Sequence, residues 1–237
     1  MQMLKIPALF VLLMAVAIGC KKDKSVHSDA GYGYFPTTVG HFVIYDVDST
    51  IYNAFNHDTV YYRYQLKELI ESEFQDNEGR VSQRVERYVR SYNPTIPYDS
   101  LPWTLKNVWY VTRTSQHAEL VTGNIRYVRL IFPVIDQAAW NGNAQNTQGD
   151  WEYQYQGVHL PFNGGNVHSD SSATVIEKDE TDLLNRRYYK EVYAKNIGLV
   201  LRQIIDVYDT KITPVPVIHR IKGGVIYMAV VHSYGMQ

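Results

Sequence analysis

From about residue 40 to its C-terminus this chain keeps returning to an apolar–polar alternation of period two, broken by short turns carrying Gly, Asn and Asp. Period two sends successive side chains to opposite faces, so it builds half-buried strands rather than helices. Phe42, Ile44 and Val47 mark a short first strand, and Val60, Tyr62, Tyr64, Leu66, Ile70 and Phe74 share one side of a long second one. Asp76-Asn77-Glu78-Gly79 predicts a hairpin turn, with Gly79 free to take positive φ. The stretch 80–92 fits helical spacing through Val81, Val85, Tyr88, Val89 and Tyr92, yet Val81, Val85 and Val89 also share a strand face. The preceding turn and the β-branched content favour a strand. Further strands are expected at 105–114, 124–132, 150–156, 172–178, 187–194, 198–208 and 225–233, with irregular stretches at 94–102 and 136–149. There is no internal repeat and no βαβ rhythm. The pattern predicts a mainly β fold, an antiparallel sheet as a sandwich or half-barrel, with little helix beyond the N-terminal segment.

That N-terminal segment follows different rules. Lys5 supplies a positive start, and an apolar run follows from Ile6 to Ile18, interrupted only by Pro7. The run is too short for a bilayer core, which needs ~20 apolar residues, and has the length and flanks of a secretory signal. It closes on Ala17-Ile18-Gly19-Cys20, which resembles the lipobox of bacterial lipoproteins, with Ala17 standing where leucine is most usual. Cys20 is the only cysteine of the 237 residues, so no intramolecular disulfide is possible. The expected organisation is a signal peptide at 1–19, the lipidated Cys20 with a polar, flexible tether at 20–33, and a single antiparallel β domain at 34–237. No Asp follows Cys20, so the usual inner-membrane retention signal is missing and an outer-membrane destination is expected, with periplasmic and extracellular faces both open.

Taking 19 residues from 237 leaves 218, within the range of one all-β domain. Losing Lys5 leaves 22 basic against 24 acidic residues, a net charge of about −2, which gives no electrostatic footprint for nucleic acid. Tyrosine is the outlier, at 20 residues against 7 phenylalanines. It suits half-buried sheet surfaces, with the ring in the core and the hydroxyl reaching water; the sharper reading is an aromatic platform for sugars or other flat ligands.

Three stretches together resemble uncharacterised Bacteroidota lipoproteins. Tyr34-Phe35-Pro36 with Val39-Gly40 is similar to their "YFPL-x-VG" opening, Phe132-Pro133 with Trp140-Asn141-Gly142-Asn143 to their central "FP…W-x-GN" loop, and Tyr193-Ala194-Lys195-Asn196-Ile197-Gly198-Leu199-Val200 to their "YAKGVGLV" hairpin. Phe42 or Val43 stands where that group usually has tryptophan, and Asn196 where it has glycine. The resemblance implies an antiparallel β domain on a lipid anchor, and implies no reaction.

Chemistry-bearing patterns are sparse. Of eight histidines no pair has the spacing of H-E-x-x-H, and a metal site needs His159, His168 and Asp170 to meet on one loop. Asp46 and Asp48 share a strand face but lack the ligand spacing of a calcium loop. No G-x-S-x-G occurs, and neither Gly164-Gly165-Asn166 nor Gly223-Gly224 leads from a strand into a helix, as a phosphate cradle requires. Glu68, Glu71 and Glu73 are the candidates for paired carboxylates, with Trp103, Trp140 or Trp151 to line a cleft. No catalytic residue, metal or cofactor is assigned; Cys20, as lipid attachment, is the one assigned site. The expectation is a non-enzymatic binding or structural module of the cell envelope, attached to the membrane through its lipid, with a glycan, a lipid or an envelope protein as partner. The alternatives are an envelope hydrolase acting on polysaccharide or peptidoglycan, and an accessory subunit of a surface complex.

Overall fold

The computed structural model describes residues 29–237, so the expected signal segment and Cys20 lie outside the described residues. Twelve antiparallel strands form one sheet: β1 (His41–Tyr52), β2 (Thr59–Gln75), β3 (Val81–Ser91), β4 (Thr104–Arg113), β5 (His117–Thr122), β6 (Ile125–Ile131), β7 (Ala139–Asn141), β8 (Glu152–Gly164), β9 (Val167–Thr181), β10 (Asn185–Ala194), β11 (Gly198–Tyr208) and β12 (Gly223–Met236). Their order is β6-β5-β4-β3-β2-β1-β12-β11-β10-β9-β8-β7. The chain is thus an up-and-down meander whose first and last strands pair, leaving β6 and β7, from mid-chain, as the two edges.

Those edges would be pairing hazards if left bare. They are instead drawn together by isolated bonds. Val128 N–H donates to Gly142 O at 2.8 Å, and Trp140 Nε1–H to Val128 O at 3.0 Å. The Tyr155 hydroxyl donates to Ile131 O at 2.8 Å and accepts from Ile131 N–H at 3.1 Å, replacing two ladder bonds with one side chain. The mainly β, antiparallel fold expected from the sequence is thus present as one sheet that curls almost into a barrel, closed further than a half-barrel.

The inward face follows from register. On β1 the buried residues are Val43, Tyr45 and Val47, so the first strand is long and packs its odd positions, not Phe42 and Ile44. Val43 pairs with Glu68, Tyr45 with Leu66 and Val47 with Tyr64 of β2. Glu68 in turn faces Arg87, and Ile70 faces Val85, on β3. On the other side Ala229 faces Arg202, which faces Glu191 of β10.

One end of the barrel is sealed by the chain that precedes β1. Lys195 Nζ holds Asp29 Oδ2 at 2.5 Å, Val134 N–H donates to Ala30 O and Asn196 N–H to Gly33 O. Arg113 donates to the carbonyls of Tyr32 and Phe35 at 3.0 and 2.8 Å. Residues 29–33, expected to belong to the tether, are packed against the domain, because backbone carbonyls and Asp29 find partners on the β10–β11 turn, the β6–β7 loop and the end of β4. Tyr34 is fully buried, its hydroxyl bonded to His159 Nδ1 and Ser171 Oγ. The β10–β11 turn under this strap has Asn196 at φ 65 and Gly198 at φ 92, the left-handed region that Gly and Asn tolerate. A Cβ at Gly198 would sit 3.3 Å from the ring of Pro36, so strap and turn are fitted to each other.

The β8–β9 hairpin is longer than expected, and 157–164 and 167–171 are strand rather than loop. Its tip lies on β12 so closely that a Cβ at Gly165 would stand 2.0 Å from Val231 O.

Candidate functional site

The inward-facing residues do not fill the barrel. They leave a mostly apolar cavity of about 370 Å3, toward the lower end of the ~300–1,000 Å3 range of small-molecule pockets. Ile70, Val85 and Val111 form its apolar floor, packed against Phe35, Trp109 and Leu120. Phe35 and Pro36 of the strap close that end. Tyr45, Tyr64, Tyr193 and Tyr227 continue the wall. The Tyr45 hydroxyl donates to Leu199 O at 3.0 Å. Burial, reinforced by the charge of Glu68, pushes the Tyr45 phenol well above its ordinary value and keeps it neutral.

Charged side chains enter this wall in two groups. In the first, Arg87 Nε donates to Glu68 Oε1 at 2.8 Å and its Nη1 to Asn107 Oδ1 at 3.3 Å. The same guanidinium lies 3.5 Å from the centroid of the Trp109 ring, a stacked cation–π contact. Trp109 Nε1–H is buried and has no hydrogen-bond partner among the described residues. Lys106 stands beside it, its ammonium 5.2 Å from the Tyr64 ring. Burial, then the neighbouring Arg87 charge, lowers the Lys106 pKa.

The second group spans the seam. Arg129 of β6 reaches across the edge to Glu177 of β9 and Glu191 of β10, and its Nη1 donates to the Tyr153 hydroxyl at 3.2 Å. All three charged residues are buried. Burial alone would raise the Glu191 pKa; the Arg129 and Arg202 guanidiniums overcome it and hold Glu191 well below the carboxylate range. Glu177 goes the other way, raised by burial that Arg129 only partly offsets. Arg202 approaches Glu191 through Nε, at 3.5 Å, and keeps 28% of its side-chain surface accessible although it lies deep among the strands. That surface faces the cavity.

The residues singled out from sequence are scattered. Glu68 lines the cavity, whereas Glu71 bonds Ser72 and Arg84 and Glu73 accepts from Gln83. Trp103 stacks on Arg90 at 4.4 Å, Trp140 packs on Tyr153 and Tyr155, and Trp151 packs on Tyr189; no shared cleft forms. His159 is bound to Tyr34, and His168 to Asn163 and Asp170. Among the described residues no three His, Cys, Asp or Glu side chains are placed to hold a metal ion. Asp46 accepts from Gln65 and His232, and Asp48 from Arg63, both on the exposed side of β1. The tryptophan at the cavity is Trp109, which sequence reasoning passed over. The available signal was charge at inward positions of strands, at Arg87, Glu191 and Arg202.

No protein-family model matches the chain, and no curated protein matches it. Among solved structures it is similar to a candidate exported protein with a YmcC-like fold from Bacteroides fragilis NCTC 9343, at TM-score 0.44 and 8% identity over 85% of this chain and 98% of that one. It is also similar to a candidate lipoprotein from Parabacteroides distasonis ATCC 8503, at TM-score 0.37 and 10% identity over 88% of this chain and all of the other. Both likenesses are distant.

Proposed function

We propose that this protein is a lipid-anchored module of the cell envelope that binds a small, largely apolar ligand inside its barrel. The observation that carries the reading is the cavity itself, apolar at its sealed end and left unfilled by side chains in an otherwise packed domain. Natural interiors pack to near-crystalline density, so a volume of this size set between two ion-pair groups is the feature most in need of a use. The membrane half of the proposal rests on Cys20 and the run before it. The described chain enters the domain at the sealed end, through Asp29 to Pro36.

A hydrolytic reading finds less support. The carboxylates lining the cavity are each occupied by guanidiniums, Glu68 by Arg87 and Glu191 by Arg129 and Arg202. Glu191 is thereby held ionised, which suits neither a general acid nor a base poised near neutral pH. Binding is tested with the neutral probe N-phenyl-1-naphthylamine, whose emission rises in apolar surroundings. The full chain carrying Cys20→Ser, which needs no detergent, should enhance its emission, and Val111→Trp or Leu120→Trp in that background should remove the enhancement by filling the cavity while the β spectrum persists. Equal enhancement in the filled variants would sink the reading.

A further inference from the structure

The cavity wall is asymmetric in charge. Arg87, Lys106, Arg129 and Arg202 line it beside only Glu68 and Glu191, and even with Glu177, which stands behind Arg129, there are four cations to three carboxylates. The surplus has a location. Arg129 is consumed by two carboxylates and Arg87 by Glu68, whereas Lys106 pairs with no carboxylate among the described residues and instead lies over Tyr64. Arg202 approaches Glu191 through Nε at 3.5 Å, keeps 28% of its side-chain surface accessible and lines the cavity. Trp109 adds a buried N–H donor with no acceptor among the described residues. A buried donor such as the Trp109 N–H is costly to leave unmatched. Lys106, which is exposed, and Arg202 lie on the side of the cavity away from the strap, while Trp109 packs on the apolar floor of Ile70, Val85 and Val111 at the strap end.

A ligand that satisfies both ends has an acid group and a hydrocarbon body. We infer that the cavity is built for a single-chain anionic amphiphile, its carboxylate or phosphate drawn to Lys106 and Arg202 and its chain directed to the floor under Phe35. The inference rests on the cavity-binding reading and adds the charge of the ligand to it. Lys106 and Arg202 set specificity here; the floor supplies the affinity common to any apolar chain.

Isothermal titration of the full chain carrying Cys20→Ser, below the micellar concentration of each probe, separates the two claims. Dodecanoate or dodecyl phosphate should bind at least about tenfold more tightly than dodecanol, and dodecyltrimethylammonium more weakly than dodecanol. Comparing the two anions identifies which acid group is preferred. Lys106→Gln and Arg202→Met should each reduce anion affinity by about fivefold to tenfold and leave dodecanol unchanged. Lys106 is exposed and unpaired, so its variant folds even if Arg202→Met disturbs Glu191. Dodecanol binding as well as the anions would overturn the inference and leave the cavity reading standing. Binding of none of the four would overturn both, and selectivity that survived in Lys106→Gln and in a folded Arg202→Met would remove these residues from the role.

Discussion

Two charge clusters in this barrel are built from the same side-chain types and end up with different duties. The outer one gathers around Glu119 of β5, which is fully buried and accepts from Arg80, His117 and Arg126; Arg80 also pairs with Asp76 of its own turn at 2.8 Å. The inner one gathers around Arg129, with Glu177, Glu191 and Arg202. In the outer cluster the central carboxylate is saturated by partners from its own strand, from β6 and from the β2–β3 turn, so its product is a fixed sheet corner. The inner cluster ties β6 to β9 and β10 across the seam and still leaves one guanidinium turned into the cavity. A saturated network serves structure alone; an incompletely matched one next to a void is poised to receive a ligand.

The largest expected effect comes from cutting the inner cluster at its hub. Arg129→Met leaves Glu177 and Glu191 buried with too little positive charge, a loss of about 3–5 kcal/mol. For a domain of this size that is a fall in Tm of about 6–20 °C, read by thermal denaturation. A fall of only a degree or two would mean the seam does not depend on Arg129. Glu119→Gln should cost less, about 2 kcal/mol, because Arg80 and Arg126 keep some access to water (side chains 24% and 18% exposed) and can be resolvated. If the two variants ranked the other way, the contrast between hub and corner would be lost.

The smallest effect is in acid. Burial would raise the Glu119 pKa, but Arg126, His117 and Arg80 together bring it below its ordinary value of 4.5. A carboxylate depressed by folding contributes stability that is complete above the unfolded value and is lost as pH falls through the folded one. Glu191 behaves the same way, down to about 2. Glu177, raised by burial, has the opposite sign: its contribution is present at low pH and fades as pH rises through its folded value. The two inner carboxylates therefore offset each other in part, and the outer cluster should dominate the loss of stability below about pH 4.5. Denaturant midpoints at pH 6 and pH 3.5 should differ less in Glu119→Gln than in the parent chain; an unchanged difference would contradict the assignment.

These clusters also explain how much could be read in the sequence. The antiparallel β class, the turn at Asp76–Gly79 and the hairpin through Asn196 and Gly198 were legible because alternation and turn chemistry are local. The strand at 117–122 was missed because it is short and buries Ala118 and the charged Glu119 side by side, which blurs its alternation, and β8 was cut short because three successive irregularities follow Tyr155. The helix-or-strand ambiguity at 80–92 has its source in Arg87, a charge on the inward face between Val85 and Val89. Glu68 and Arg202 interrupt their strands in the same manner. The strands carrying these inward charges were nonetheless expected as strands, with only the 80–92 stretch left ambiguous on its way there. The tyrosine excess is only partly the wet-edge feature expected: Tyr45 and Tyr155 are buried, with hydroxyls bonded to backbone carbonyls rather than to solvent. Closure of the barrel was not legible, since no local pattern links Tyr155 to Ile131.

The cavity as a ligand seat is tested most directly from inside. Cys20 is the only natural cysteine, so Val85→Cys in the Cys20→Ser chain places a single thiol on the floor. In the folded protein N-ethylmaleimide should alkylate that thiol, and saturating N-phenyl-1-naphthylamine should slow the reaction at least about fivefold. A thiol that reacts only on unfolding, or at the same rate with and without the probe, would contradict the account.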